Sequence, residues 1–274
     1  MDQGLFAPDS VTRRINREQA LLAGGGCALL LQIAHPLVAA GVADHSDFRS
    51  DPLKRLRRTL DATLGIVFGT IEEAHRCATT VRAVHARVQG TLSEDTGRFP
   101  AGTPYRAETP ELLSWVQATL IDTGLKTYEL FFTPLSDADR ETYYRETKTV
   151  AHMLGLPETE IPETYREFSA WYEARIASDE IAVGSVAREL SGQILTPKLR
   201  FVPRPVFAPL TLMTVGLLPP KLRAAYGFRW NGAREAAFKA GAVAIGRTAR
   251  TLPSRIRLFP QARAAERRSA GVAA

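Results

Sequence analysis

His85 lies in the stretch 70–90, TIEEAHRCATTVRAVHARVQG, whose spacing predicts what surrounds its ring. Thr70 with Glu73 has the form of a capping box at a helix start, and Gly90 reads as the stop. Ile71, Ala74, Ala78, Val81 and Val88 recur at steps of three and four, the pattern of one apolar stripe. At about 100° per residue, His85 falls near the middle of that stripe beside Val81, Val84 and Val88, while His75 falls about 90° off its centre. A neutral imidazole aimed at a core needs a partner for each ring nitrogen or it costs stability. A backbone carbonyl or a buried water can serve. So can a metal, above all haem iron, which one histidine holds without a cluster of other protein ligands.

A second group of reactive side chains lies upstream, in DPLKRLRRTLDATLGIVFG. Ser50-Asp51-Pro52 opens a helix there, with a capping side chain and proline in the first turn. Leu53, Leu56, Leu60, Leu64 and Val67 share one side of it, and Arg55, Arg58 and Thr59 lie together on the other. That polar face is either a wet basic surface or the wall of a pocket. In a pocket, two guanidinium groups beside a hydroxyl hold an anion or polarise oxygen. Other chemistry is missing from the sequence: there is no GxSxG, no HExxH, no DxD cluster and no HxxxH pair. The five histidines stand in five separate places, which argues against zinc or di-iron. Gly24-Gly25-Gly26 lacks the GK[ST] of a phosphate loop and reads as close helix packing or a turn.

These residues must be positioned by helices. No segment alternates as a strand would, and turn signals separate runs of helical periodicity along the whole chain. Asp9 and Ser10 cap a first helix, SVTRRINREQALLAG, with its arginines on an exposed face. An almost wholly apolar run follows from Cys27 to Ala43 and reads as a central buried helix kinked near Gln32–His35 by Pro36. His35 reads there as a core histidine. The segment 91–110 reads as a loop, either a lid or a crossover. Helices are then expected after Pro110 (with Leu112, Trp115, Thr119 and Leu120 buried), after Ser136, after Pro162, after Ser178-Asp179, around 210–217 and after Asn231.

The expected architecture is all-α, a single helical domain of eight to ten helices over residues 1–260, with 261–274 as a basic flexible tail. At 274 residues and 45% hydrophobic content the chain can bury a sizeable core. Two cysteines make no disulfide framework, and the first ten residues carry no basic leader, so the expected location is cytoplasmic. The net charge of +6 is concentrated between Arg247 and Arg268, where seven arginines meet one glutamate. Such a stretch can touch an acidic membrane surface. Without interleaved aromatics it gives no support to nucleic-acid binding.

Four segments taken together, LLLQIAHPLVAAGVADHSDF, DPLKRLRRT, VHARVQG and PYRAETPELLSWVQAT, resemble the bacterial and fungal oxygenase family that includes rubber oxygenase (latex-clearing protein) and the mycophenolic-acid pathway oxygenase MpaB. The resemblance runs from about Arg14 to Trp230. It implies a globin-like core holding haem b, with additional helices around it. The family's proximal histidine matches His85, and its Arg-x-x-Lys-Thr group matches Arg55, Arg58 and Thr59, with Arg58 in place of the lysine of rubber-cleaving members. It further implies oxygen activation at ferrous haem and attack on a carbon–carbon double bond of an isoprenoid or other unsaturated apolar substrate. Arg55 or Arg58 would then stabilise negative charge developing on oxygen, and Thr59 would donate or relay a proton. Leu30, Ile33, Leu37 and Val38 are the expected walls of an apolar channel. Two other readings stand beside this one: a haem sensor or carrier without turnover, and a haem-free helical lipid-binding protein.

Overall fold

Proline has no N–H to give, and its ring clashes with the preceding turn, so an apolar helix cannot run through Pro36 undisturbed. The computed structural model of the chain describes residues 4–46, 52–197 and 203–271 (for 52–56 and 204, the backbone alone). In it the apolar run is not merely kinked; it is broken into two helices whose axes meet at 107°. Pro36 becomes the first residue of the second helix. His35 caps it, its Nδ1 accepting the Leu37 N–H at 3.3 Å.

Fourteen α-helices are found among the described residues. The first five are α1 (Val11–Asn16), α2 (Leu22–Ile33), α3 (Pro36–His45), α4 (Pro52–Phe68) and α5 (Ile71–His85). After a short hairpin of β1 (Gln89–Thr91) and β2 (Pro104–Arg106) come α6 (Pro110–Phe131), α7 (Asp137–Met153), α8 (Tyr165–Ala177) and α9 (Ser185–Leu195). The chain closes with α10 (Ala208–Leu217), α11 (Pro220–Ala225), α12 (Gly232–Thr251), α13 (Ser254–Arg257) and α14 (Pro260–Ser269). The mostly helical character expected from periodicity is therefore what is found. Among the described residues no single helix is long and apolar enough to cross a membrane.

The centre of the molecule is α2, packed against α3, α6, α9 and α10. Leu30, Leu31 and Ile33 meet Trp115, Ile121 and Leu125 of α6 and Phe168 and Tyr172 of α8 in one buried cluster. The Trp115 and Tyr172 rings stack at 5.6 Å. The glycine run lies inside α2 and is explained by packing. A Cβ on Gly24 would collide with Thr127 of α6, and one on Gly26 with Thr214 of α10, whereas one on Gly25 would meet nothing within 4 Å.

Several expected boundaries move, each through a long-range contact. The first expected helix is split: α1 ends at Asn16, Glu18 is extended, and a short 3-10 turn leads into α2. Its arginines are not all exposed, since Arg13 is buried. Gly90 does not stop α5; it pairs with Tyr105 in the two-stranded hairpin. Leu120 is 39% exposed rather than part of the buried face of α6. Ser178-Asp179 does not start a helix, and α9 begins at Ser185, where Glu94 from the 91–103 segment accepts both the Ser185 N–H and hydroxyl. Ser50 and Asp51 lie outside the described residues.

The basic tail expected over 261–274 is corrected up to the last described residue, Gly271. Its greater part is α14, whose Ala262 and Ala265 are buried with Phe259 against Leu64, Val67 and Phe68 of α4. Three arginines of this end are held by other parts of the protein. Arg257 makes a two-pronged pair with buried Glu18 at 2.6 and 2.8 Å, Arg250 donates to Phe132 O at 2.7 Å, and Arg268 donates to Phe68 O.

Packing on two sides of one glycine run predicts a split response. Gly25→Ala should stabilise by about 0.5–1 kcal/mol through helix propensity. Gly24→Ala and Gly26→Ala should each destabilise by about 1–3 kcal/mol through overpacking. Urea denaturation of the three variants measures both signs.

Candidate functional site

Helices α4 and α5 form a hairpin joined by Gly69 and Thr70 alone. Thr70 caps α5 as its sequence predicts: its Oγ1 accepts the Glu73 N–H at 3.1 Å, and Glu73 Oε2 accepts the Thr70 N–H at 2.8 Å. The two helices pack closely at Gly65, where a Cβ would stand 2.6 Å from Cys77 Sγ. That contact sets the antiparallel register. Counting the same number of residues away from it on each helix brings His85 level with Arg57, next to Arg58 and Thr59. Arg58 lies about 20° round from Gly65 and so on the side that faces α5, with Thr59 about 100° further.

His85, the last residue of α5, is half-buried, and its Nδ1 is fully buried with no hydrogen-bond partner. Burial holds its basicity below the ordinary histidine range, against the opposing charge of Glu108. The ring is therefore neutral at pH 7 and keeps a lone pair. Its surroundings differ from the expected stripe. Ala74 and Ala78 are buried, but Val81 and Val88 are half-buried, Ile71 is exposed, and Val84 is 57% exposed. The reason is that, among the described residues, α5 packs mainly on α4, with only a smaller contact to α7, which leaves Ile71 and Val84 uncovered. Arg58 and Thr59 are likewise exposed, and the side chain of Arg55 lies outside the described residues. The polar residues of α4 and the histidine of α5 thus stand at one level along an open, partly apolar hairpin.

What fixes the end of that hairpin is α3. Three residues beyond His85, Val88 packs beside Gly41 and joins Leu37, Ala40, Tyr105 and Leu112 in a small cluster. Asp44 accepts the Tyr105 hydroxyl at 2.6 Å, and the His45 ring meets Gln89 O at 2.9 Å. The direction of α3, set by Pro36, therefore decides where α5 ends. The expected channel is not formed in the way proposed from the sequence. Leu30 and Ile33 are sealed in the main core at 0% and 2% exposure, while Leu37 and Val38 pack under the β-hairpin.

A buried polar cluster that sequence reasoning missed lies behind α3. His35, only 1% exposed, accepts from Leu37 through Nδ1 and so turns its Nε2–H toward Glu180 Oε1, 3.8 Å away. The same carboxylate oxygen takes Arg98 at 2.9 Å and Arg175 at 3.0 Å, and the Phe99 ring sits 5.2 Å from His35. Burial disfavours the ionised carboxyl of Glu180, but facing His35 and the charges of Arg175 and Arg98 outweigh it and hold the group below the usual glutamate range. Burial likewise keeps His35 neutral, against Glu180. The segment 91–103 is thereby tied down at Glu94, Arg98 and Phe99: it is a strap, not a lid. Only Arg175 lies near Glu180 in sequence; His35 and Arg98 come from two distant parts of the chain, so no short-range signal announces the cluster.

Among the described residues no group of three or more His, Cys, Asp or Glu side chains is placed to hold a metal ion. Compared with known proteins, the chain matches the family described as "ER-bound oxygenase mpaB/B'/Rubber oxygenase, catalytic domain" over residues 12–248. No curated protein and no solved structure matches it.

Removing the charge of Glu180 should leave two guanidinium groups without their anion. Glu180→Gln is expected to cost about 2 kcal/mol at pH 7, less than a fully buried pair because the Arg98 side chain is 58% exposed. A carboxyl whose folded pKa lies below its unfolded value of 4.5 stabilises above that pH and loses the contribution as pH falls toward the folded value. Denaturation curves below pH 4.5 should therefore converge for the wild type and Glu180→Gln.

Proposed function

The chain belongs to the mpaB/rubber oxygenase catalytic-domain family, and from that membership we propose that it is a haem b-dependent oxygenase. Its proposed reaction is oxidative attack on a carbon–carbon double bond of an isoprenoid or other unsaturated apolar substrate. The observation that carries the reading is His85. A buried imidazole nitrogen without a partner, on a neutral ring, is what a metal ligand presents before its metal is bound. The donor set fits a macrocycle, since His85 would be the one protein ligand and the remaining donors would come from the cofactor itself. The uncovered apolar half of α5 around Val84 gives such a group a surface to bury, and a globin-like arrangement of α4 and α5 about it belongs to the same proposal.

When bound, haem supplies the electron-transfer and dioxygen chemistry that no side chain of this protein can provide. The protein's own residues have separable tasks. His85 holds its lone pair toward the cofactor and stays unprotonated because burial disfavours the imidazolium. Arg58 and Arg55 would supply the positive charge that stabilises a negatively charged oxygen near the cofactor. Thr59 holds or passes a proton at Oγ1. Apolar side chains of the hairpin keep water from the substrate double bond.

An absorption spectrum of the protein expressed with ample haem should show a strong Soret band that is lost or displaced in His85→Ala. A colourless wild type that takes up no added haem returns the chain to the lipid-binding reading. Because His85 titrates below 6.5, haem uptake should stay level as pH falls through 6.5 and decline only further down. Arg55→Ala and Arg58→Ala should keep the Soret band yet lose about 100-fold in oxygen-dependent cleavage of a polyene, the scale of removing one charge-stabilising donor. Full turnover in both would remove their assigned roles. Haem binding without carbonyl products from any unsaturated substrate would mark a carrier or sensor.

A further inference from the structure

At the end of α4 remote from Arg58, a cavity of about 200 Å3 lies between residues 8–10, α1 and α14. That is several times the ~30 Å3 share of one liquid water. Phe68, Ala262 and Ala265 give it an apolar floor, and Arg13, Arg14 and Arg17 give it positive walls. Two of those arginines are already balanced. Arg14 pairs with Asp139 at 2.7 Å, and Arg17 pairs with Glu266 at 3.3 Å and Glu18 at 3.5 Å.

Arg13 is different. It is 6% exposed, its Nε reaches no acceptor, and among the described residues no carboxylate lies within ion-pair distance of it. A guanidinium cannot escape burial by losing its proton, so an unneutralised one is costly. Gly4 crosses directly over the group; a Cβ there would collide with Arg13 Nη2. Beside Arg13 stands Arg268, which donates to the Phe68 carbonyl and repels Arg13. Arg13 therefore borders the cavity with a second cation acting on it and, among the described residues, no carboxylate paired with it. The acidic groups that border the cavity are Glu266, engaged by Arg17 and attracting Arg13 from a distance, and the exposed Asp9.

We propose that this cavity is a binding site for a phosphate group, carried by a free phosphomonoester or by a lipid headgroup, whose oxygens neutralise Arg13. A phosphomonoester carries about −1.5 to −2 charges at pH 7, enough to neutralise Arg13 and offset the repelling charge of Arg268 as a single carboxylate would not. The planar fork of Arg13 suits two phosphate oxygens at once, and the apolar floor accepts the attached carbon chain.

The test uses the full-length protein in inorganic phosphate and in chloride at equal ionic strength. Phosphate should raise the melting temperature in a saturable way and slow amide exchange in residues 4–17 and 260–271. Arg13→Met should weaken that response about tenfold or more, the loss expected for one charge-assisted contact, while melting in chloride no lower than the wild type. Vesicles of phosphatidylcholine with and without phosphatidic acid separate the two sources. Capture by the acidic vesicles, reversed by free phosphate, assigns a headgroup; protection by phosphate without capture assigns a soluble ester. No phosphate response in the wild type, or an equal response in Arg13→Met, overturns the site. If Arg13→Met does not fold, the wild-type exchange pattern decides: protection confined to other segments overturns it equally.

Discussion

The rest of the structure depends on one missing hydrogen bond. Pro36 cannot donate to Gln32 O, and an orphaned carbonyl in the core of the molecule must find another donor. It finds two, the His35 N–H at 3.2 Å and the indole Nε1 of Trp115 at 3.3 Å. Two residues earlier, Leu30 O takes the Tyr226 hydroxyl at 2.6 Å, which brings the segment after α11 onto the same helix end. The break is thus paid for by side chains from α6 and from the far end of the chain. Its geometric result is the 107° turn that sends α3 toward the β-hairpin. Through Gly41, Asp44 and His45, α3 then sets where the residues just after His85 can lie.

Charge is used in the same way, as fixed points between distant segments. Glu18 holds Arg257, Glu94 caps α9, and Glu180 gathers Arg98 and Arg175 under His35. Each is a carboxylate with at least one partner far off in sequence, so each closes a long loop of chain. A basic excess that looks like a solvated tail is in large part internal wiring, because an arginine can reach carbonyl and carboxylate acceptors while its stem packs on apolar surface.

The result for α4 is an asymmetry with a functional consequence. Its C-terminal half is clamped: Leu64, Val67 and Phe68 pack under α14 and Phe259. Its other half, with Arg58 and Thr59, stands exposed beside the loosely covered end of α5. Functional segments draw on the less stable parts of a fold because only those can admit and order around a ligand. In an oxygenase-family chain, the end of the hairpin that carries the histidine is also the end the protein leaves open, while the proposed phosphate site belongs to the clamped end.

Where a signal was local, the sequence alone determined the outcome. The capping box at Thr70, the caps at Ser10, Ser136 and Asn231, and the prolines opening α4 and α6 act through bonds or clashes within a few residues, and they are found where they were expected. Trp115 was expected in the core and is there. The family resemblance was legible as well, because it rests on short segments in order rather than on contacts. Tertiary structure alone decided the rest. The start of α9 depends on Glu94, ninety-one positions from Ser185. The burial of Arg13 depends on α14 and residues 4–10 closing over it, and the partners of Glu180 come from Arg98 and Arg175 as well as His35. The half-open setting of His85 reflects a helix that, among the described residues, packs mainly on α4 alone, which periodicity cannot reveal. A stripe on a helix shows which side prefers to be covered; only the packed chain shows what covers it.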